Sequence, residues 1–194
     1  RNTIPMSRID DAVKRILRQK FRLGLFDNPF PDSTLVAKIG VKAHRAVAKQ
    51  AVRESLVLLK NKNKVLPLSK DTNKIVVVGE HANSTGLQSG GWTINWQGTK
   101  ENYKGATTIL EGIKKQSKGN VVYDKNGTQN HFDADIAIII VGETPYAEFF
   151  GDIGHESNTR KLILTEEHQK YIKSYADKGV KTVVVLVSGR PLVV

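Results

Sequence analysis

The hydrophobic and polar positions in the first third of the chain predict two helices and one strand. Between residues 7 and 26 apolar side chains recur at helical spacing, and Ser7 is placed to cap this helix. The apolar stripe consists of Ile9, Val13, Ile16 and Leu17. A second helix is predicted from about Val41 to Ser55, and the apolar run at 55–61 predicts a short buried strand.

The rest of the chain alternates between apolar runs of strand length and amphipathic segments. Strands are predicted at 74–80, 120–124, 135–143 and 181–189. Helices are predicted at 107–116 and at 165–176, where Thr165 is the expected cap. Runs that are apolar at every position imply strands buried on both faces, and intervening helices imply parallel crossovers. The pattern therefore predicts an α/β fold, an open and mainly parallel sheet with helices on both faces.

Two connections in this predicted sheet are unusually long. They cover residues 80–106 and 142–164, whereas such connections commonly run about 2–6 residues. Each follows a strand, and parallel strands place their carboxyl ends at one edge of the sheet, where ligands bind in open α/β folds. The two loops are therefore expected to meet at a ligand site.

The first loop contains both tryptophans of the chain, Trp92 and Trp96. Gly90 and Gly91 precede Trp92 and give the backbone freedom to present the indole at a sharp turn. A flat exposed indole is a platform for the apolar face of a sugar ring or for a nucleobase. We expect this role for Trp92, and we expect Trp96 to fold back and cap the sheet.

The second loop is rich in carboxylates. Its acidic residues are Glu143, Glu148, Asp152 and Glu156. Glycoside cleavage generally uses two carboxyl groups, one of them protonated, and the apolar neighbours Phe149 and Phe150 would favour a protonated Glu148. Glu143 is expected to bind backbone amides or a neighbouring loop. Asp152 and Glu156 are expected to be solvated residues or helix caps.

The composition excludes several other classes of protein. The net charge is +11, but the lysines are spread along the chain without a nucleic-acid motif, so a solvated basic surface is expected. There is no cysteine, no apolar run long enough for a membrane helix, and no phosphate-binding glycine motif. The five histidines lack metal-ligand spacing and are expected to be exposed or core residues.

Six segments resemble glycoside hydrolase family 3, in its β-D-glucan exohydrolase and β-glucosidase branch. They are IPMSRIDDAVKRILRQKFRLGLFDNP, AVRESLVLLKN, LPL, QSGGWTINWQG, VGETPYAEFFGD and VVVLVSGRPLVV, in family order. The resemblance implies that residues 1–26 end an N-terminal (β/α)8-type barrel, 27–40 form the interdomain linker, and 41–194 form most of an α/β sandwich domain. The barrel, which this sequence lacks, would supply the nucleophilic aspartate, so the chain alone is expected to be inactive.

The same resemblance assigns roles at the site. Glu148 matches the acid/base glutamate, and Trp92 matches the tryptophan that stacks on the sugar in the leaving-group subsite. Gly91, Glu143 and Tyr146 are expected to support these two residues. The implied reaction is retaining, exo-acting hydrolysis of β-glucans or β-glucosides. It implies no cofactor and no metal, the barrel as partner, no nucleic-acid or membrane partner, and an extracellular or periplasmic location.

Two other interpretations remain open on the sequence alone. The chain could be a non-catalytic module that binds carbohydrate or nucleotide through Trp92. A flavodoxin-like nucleotide binder is a third option, which rests on predicted sheet topology alone.

Overall fold

The chain divides into two units, Arg1–Leu59 and Lys60–Val194. The computed structural model describes residues 3–154 and 161–194. The boundaries expected from the family resemblance, at residues 26 and 40, remain predictions.

The first unit contains two α-helices, α1 (Met6–Arg22) and α2 (Lys42–Ser55), with a short 3-10 helix at Ser33–Lys38 between them. The predicted cap of α1 is wrong. Pro5 occupies the N-cap position with φ −64° and ψ 141°, and no side chain caps the helix. Because proline fixes φ near this value, it sets the start of the helix and leaves Ser7 inside the first turn.

The predicted strand at 55–61 does not form. Residues 56–61 have no regular secondary structure, and the side chains of Leu56, Val57, Leu58 and Leu59 are 63–77% exposed. A strand needs a neighbour that satisfies its backbone N–H and C=O groups, and no described strand pairs with this run. An apolar run alone therefore gave the wrong element.

The second unit is built on a sheet of four parallel strands, which confirms the predicted fold class. The strands are β1 (Lys74–Val78), β2 (Asn120–Asp124), β3 (Ile136–Gly142) and β4 (Lys181–Val187). Their order across the sheet is β2-β1-β3-β4. The accompanying helices are α3 (Thr85–Ser89), α4 (Ile109–Gln116) and α5 (Glu166–Asp177).

Apolar side chains cover both faces of this sheet. On one face Val76 and Val78 pack in a cluster with Tyr171 and Tyr175 of α5. On the other face the alternate residues of β1 pack with Leu110 of α4. Burial on both faces explains why the central strands are apolar at every position.

Side-chain caps fix where the two crossover helices begin. Thr108 and Glu111 form a reciprocal capping box at the start of α4. Thr165 accepts a hydrogen bond from the N–H of His168, so the predicted cap of α5 is confirmed. These caps set the lengths of the loops that leave β1 and β3.

Candidate active site

The loops that follow β1, β3 and β4 come together at the carboxyl edge of the sheet. They enclose a hollow of about 170 Å³. Its walls are residues 87–91 of the first loop, 143–146 of the second, and 187–189 at the end of β4. The sequence prediction that the two long loops meet at one edge is therefore confirmed in their described parts.

Gly91 lies in close contact with the second loop. A Cβ atom added at Gly91 would lie 2.1 Å from the carbonyl oxygen of Tyr146 and 3.3 Å from Cβ of Ala147. No larger residue fits between these backbones. The expected reason for this glycine was backbone freedom, but the left-handed residues are its neighbours, Gly90 with φ 81° and Trp92 with φ 57°.

The side chain of Gln97 also joins the two loops. Its Oε1 accepts a hydrogen bond of 3.0 Å from the N–H of Ala147, and its Nε2 donates one of 3.4 Å to the carbonyl of Ala147. Ala147 is 5% exposed and directly precedes Glu148. Gln97 of the first loop thus binds both peptide groups of Ala147, the residue before the candidate acid Glu148.

The two tryptophans have different surroundings. The side chain of Trp92 is 69% exposed, and the backbone N–H of Trp92 donates to the backbone carbonyl of Trp96 over 2.9 Å. The ring of Trp96 packs edge-on against Phe149 and Phe150, with centroids 5.8 Å apart in each pair. Trp96 therefore contacts the second loop, although the sequence predicted that it caps the sheet, and Trp92 presents its indole to solvent.

Glu148 opens a 3-10 helix, Glu148–Gly151, and its side chain is exposed. Its backbone lies in the left-handed region with φ 51°, an uncommon conformation for a residue with a Cβ atom. Phe149 and Phe150 do not bury the carboxylate, because they pack on Trp96 and are themselves 39% and 36% exposed. The apolar enclosure expected from sequence is thus not provided by these two rings.

Glu143 lies at the end of β3 and binds the loop after β4. Its carboxylate forms an ion pair with Arg190, with Oε1 2.6 Å from Nη2, and accepts hydrogen bonds from Ser188 at 2.7 Å and Tyr146 at 3.3 Å. Burial alone would raise the pKa of Glu143, but the hydrogen bonds from Arg190 and Ser188 outweigh it, so the pKa lies below its usual value. Glu143 is therefore a fixed anion at neutral pH rather than a proton donor.

Arg190 connects this anion to the turn that carries Glu148. Its guanidinium lies over the ring of Tyr146, 4.6 Å from the centroid, and Nη1 donates to the carbonyl of Gly151. Arg190 thus holds the last residue of the 3-10 helix while Gln97 holds Ala147 before it. Together they fix both ends of the segment 147–151.

Two histidines lie behind the site. The rings of His81 and His168 meet edge-on with centroids 5.6 Å apart, and one nitrogen of His81 lies 3.1 Å from the carbonyl oxygen of Glu143. Burial lowers the pKa of both rings. Within the described ranges no group of three or more His, Asp or Glu side chains is placed to bind a metal ion. His155 and Glu156 lie outside the described residues, and Asp152 is exposed.

Comparison with known families decides the class of the chain. Residues 56–194 match the glycosyl hydrolase family 3 C-terminal domain. The chain belongs to glycoside hydrolase family 3. The matched range contains the whole second unit with its two adjoining loops. It also contains the apolar run at 56–59.

Family 3 relatives match nearly the whole of this chain but are much longer. A lysosomal β-glucosidase of Dictyostelium discoideum is 32% identical over 97% of this chain and 25% of its own length. The crystal structure of an exo-1,3/1,4-β-glucanase from a Pseudoalteromonas species is 37% identical with a TM-score of 0.84, over 100% of this chain and 25% of the other. A Listeria innocua β-glucosidase in complex with isofagomine is 27% identical with a TM-score of 0.77, over 97% and 27%. The chain spans about a quarter of the length of these family 3 proteins.

Sequence reasoning singled out part of this candidate site. It singled out Trp92, Gly91, Glu143, Tyr146 and Glu148, and the structure places all five in the two adjoining loops. It missed Gln97 and Arg190. The signal for Arg190 was its position just after an apolar strand, at the same edge of the sheet where the acidic second loop begins. Among the described residues every helix is too short or too polar to span a bilayer.

Proposed function

We propose that this chain is the C-terminal part of a retaining, exo-acting β-glucosidase or β-glucan glucohydrolase. In this proposal Glu148 is the acid/base catalyst and Trp92 is the stacking platform for the sugar in the leaving-group subsite. The nucleophilic aspartate belongs to an N-terminal barrel outside this sequence, and the complete enzyme releases glucose from the non-reducing end of its substrate. By the same resemblance, it works in an extracellular or periplasmic space.

The observation that carries the proposal is the close contact between the two loops, at Gln97 with Ala147 and at Gly91 with Tyr146. An exposed indole and an exposed carboxylate project from adjoining turns that are held together by Gln97 and by the contact at Gly91. Among the described residues, both side chains are exposed rather than packed into the cores of this unit. Both are available to a substrate, which is what a shared subsite requires.

The proposed reaction has two steps, and Glu148 acts in each. In the first step the barrel aspartate attacks the anomeric carbon while Glu148 donates its proton to the departing glycosidic oxygen. In the second step Glu148 removes a proton from water, which attacks the glycosyl-enzyme and releases glucose. Retaining enzymes hold the two carboxyl groups about 5–5.5 Å apart, so the barrel must approach Glu148 closely.

The first unit supports the existence of a further packing partner. The apolar stripe predicted for α1 is 38–61% exposed in this chain, at Ile9, Val13, Ile16 and Leu17. A helix with an apolar stripe normally buries it against another element. A barrel domain that contributes α1 as its last helix would provide that cover.

The decisive test compares substrates with poor and activated leaving groups in the full-length enzyme. General acid catalysis contributes about 10²–10⁴-fold, and only a poor leaving group needs the proton. Glu148→Ala should therefore lose about that factor in kcat/KM on an oligosaccharide and much less on a dinitrophenyl glucoside. Azide should partly restore turnover of the activated substrate and yield a β-glycosyl azide.

A matched control is Glu101→Ala, because Glu101 is another exposed carboxylate in the first loop. It should leave both rates unchanged. Equal losses on both substrates in Glu148→Ala would remove Glu148 from the acid role. Fluorescence titration of the chain alone with glucose oligomers tests the other interpretation, because tight binding by the fragment would favour a non-catalytic module.

A further inference from the structure

We infer that Gln97 is a positioning residue for catalysis, which sets the placement of the acid Glu148 relative to the sugar platform Trp92. The inference rests on the proposed function. It assigns a role to a side chain that touches neither substrate nor the reacting atoms.

Gln97 forms a pair of hydrogen bonds to the backbone of Ala147. One amide group serves both the N–H and the C=O of the same residue, at 3.0 and 3.4 Å. Ala147 is 5% exposed, so little water can replace these bonds if Gln97 is removed. Buried backbone groups without a partner are unfavourable, and the segment would shift to regain one.

The backbone of Glu148 has an uncommon conformation that needs support. Ala147 is extended, with φ −138° and ψ 150°, and the next residue turns into the left-handed region with φ 51°. Such a conformation is disfavoured for glutamate and persists only where surrounding contacts hold it. The bonds from Gln97 act on the residue immediately before this turn. They therefore fix the point from which the acid side chain projects.

Residues next to Gln97 connect the loop of Glu148 to the turn that carries Trp92. Trp92 and Trp96 are joined by a 2.9 Å backbone hydrogen bond, and Gln97 follows directly after this closed turn. Gly98, on the other side of Gln97, is so close to Pro145 that an added Cβ would lie 2.6 Å from the proline Cβ. The first loop, which carries Trp92, and the second loop, which carries Glu148, are thus attached through the adjacent residues Gln97 and Gly98. A sugar stacked on Trp92 would present its glycosidic oxygen to a carboxyl whose position Gln97 fixes.

The experiment replaces Gln97 in the full-length enzyme and measures the dependence of rate on leaving group. Gln97→Leu keeps approximate size and removes both hydrogen bonds. A misplacement of about 1 Å can cost on the order of 10²-fold, so kcat/KM on a laminarin oligosaccharide should fall about 10- to 100-fold. The rate on a dinitrophenyl glucoside, which does not need the proton, should fall far less. Gln97→Glu retains the acceptor for the Ala147 N–H and should recover a large part of the lost oligosaccharide activity.

The control is Gln169→Leu. Gln169 also donates to a backbone carbonyl, that of Leu164 at 2.8 Å, but it lies on α5 and has no hydrogen bond to the segment 147–151 among the described residues. It should lower stability without changing the ratio of the two rates. If Gln97→Leu lowers both rates equally, or if Gln97→Glu is no better than Gln97→Leu, the positioning role is overturned. If Gln97→Leu does not fold, Gln97→Asn takes its place, because the shorter side chain withdraws the amide from Ala147, and its ratio is compared with that in Gln169→Asn; equal ratios overturn the role.

Glu148→Ala measured in parallel separates the two levels of the argument. If that variant shows no dependence on leaving group, the proposed function itself fails and the inference fails with it. If Glu148→Ala shows the dependence and Gln97→Leu does not, only the role of Gln97 is lost.

Discussion

Breaking the ion pair between Glu143 and Arg190 is expected to destabilise the second unit. The two side chains are 11% and 16% exposed, and the guanidinium forms hydrogen bonds of 2.6, 3.1 and 3.3 Å to the carboxylate. Removing one partner of a buried pair leaves an uncompensated charge and costs about 3–5 kcal/mol. In Arg190→Met the carboxylate of Glu143 would keep Ser188 and Tyr146 as donors, so we expect the lower end, about 3 kcal/mol.

A double-mutant cycle isolates the interaction itself. Glu143→Gln keeps the shape and removes the charge, and should cost about 1–2 kcal/mol because Arg190 then lacks its anion. The double variant should be less destabilised than the sum of the two single variants by about 1–2 kcal/mol. Urea unfolding followed by tryptophan fluorescence is the assay, because both tryptophans lie in the loop next to this pair.

The pH dependence gives an independent check of the same pair. The pKa of folded Glu143 lies below its usual value, so its stabilising effect is complete above the unfolded pKa. This effect is lost as pH falls through the lower folded pKa. The stability difference between the wild type and Glu143→Gln should therefore be complete above the ordinary glutamate pKa of about 4.3 and shrink as the pH falls below it. A cost below about 1 kcal/mol for Arg190→Met, with no coupling in the cycle, would show the pair to be equivalent to a weak surface ion pair and refute the reasoning.

Two further predictions concern the first loop. Trp92→Ala should raise KM for oligosaccharides about tenfold in the full-length enzyme, because a stacking surface is lost, and should leave turnover of an aryl glucoside largely intact; an unchanged KM would remove Trp92 from the subsite. Gly91→Ala should lower the free energy of unfolding by about 1–3 kcal/mol, because its Cβ would overlap the Tyr146 carbonyl, whereas Gly112→Ala in α4 has open space around it and should not. Equal unfolding midpoints for these two glycine variants would contradict the close contact between the loops.

The fold of the second unit was predictable because its signal is local. Three of the four strands are runs of mostly β-branched residues, and 120–124 and 136–142 were bounded to within a residue of the prediction. Thr165 indicated the start of its helix because a cap acts on the residues beside it. The run at 55–61 failed because apolar character predicts burial but does not say whether a paired strand or another surface provides it.

Topology predicts which loops form the candidate site, but it does not predict the side-chain contacts between them. Parallel strands bring the two long loops to one edge, which is enough to predict that the loops of Trp92 and Glu148 adjoin. Gln97 and Arg190 could not be found in this way. Their partners lie 50 and 47 residues away along the chain, so no local pattern in the sequence records the contacts.

The left-handed residues show why these long-range contacts matter. Outside glycine, the chain has six described residues with positive φ, and three of them are Trp92, Ile94 and Glu148 in the two site loops. The other three are polar residues, two of them asparagine, which tolerates this region well. A bulky aromatic, a β-branched residue and a glutamate do not adopt it by local preference. Contacts from outside the segment 147–151 therefore hold the turn at Glu148: Gln97 binds Ala147 before it and Arg190 binds Gly151 after it, and together they oppose the conformation that its own sequence would favour.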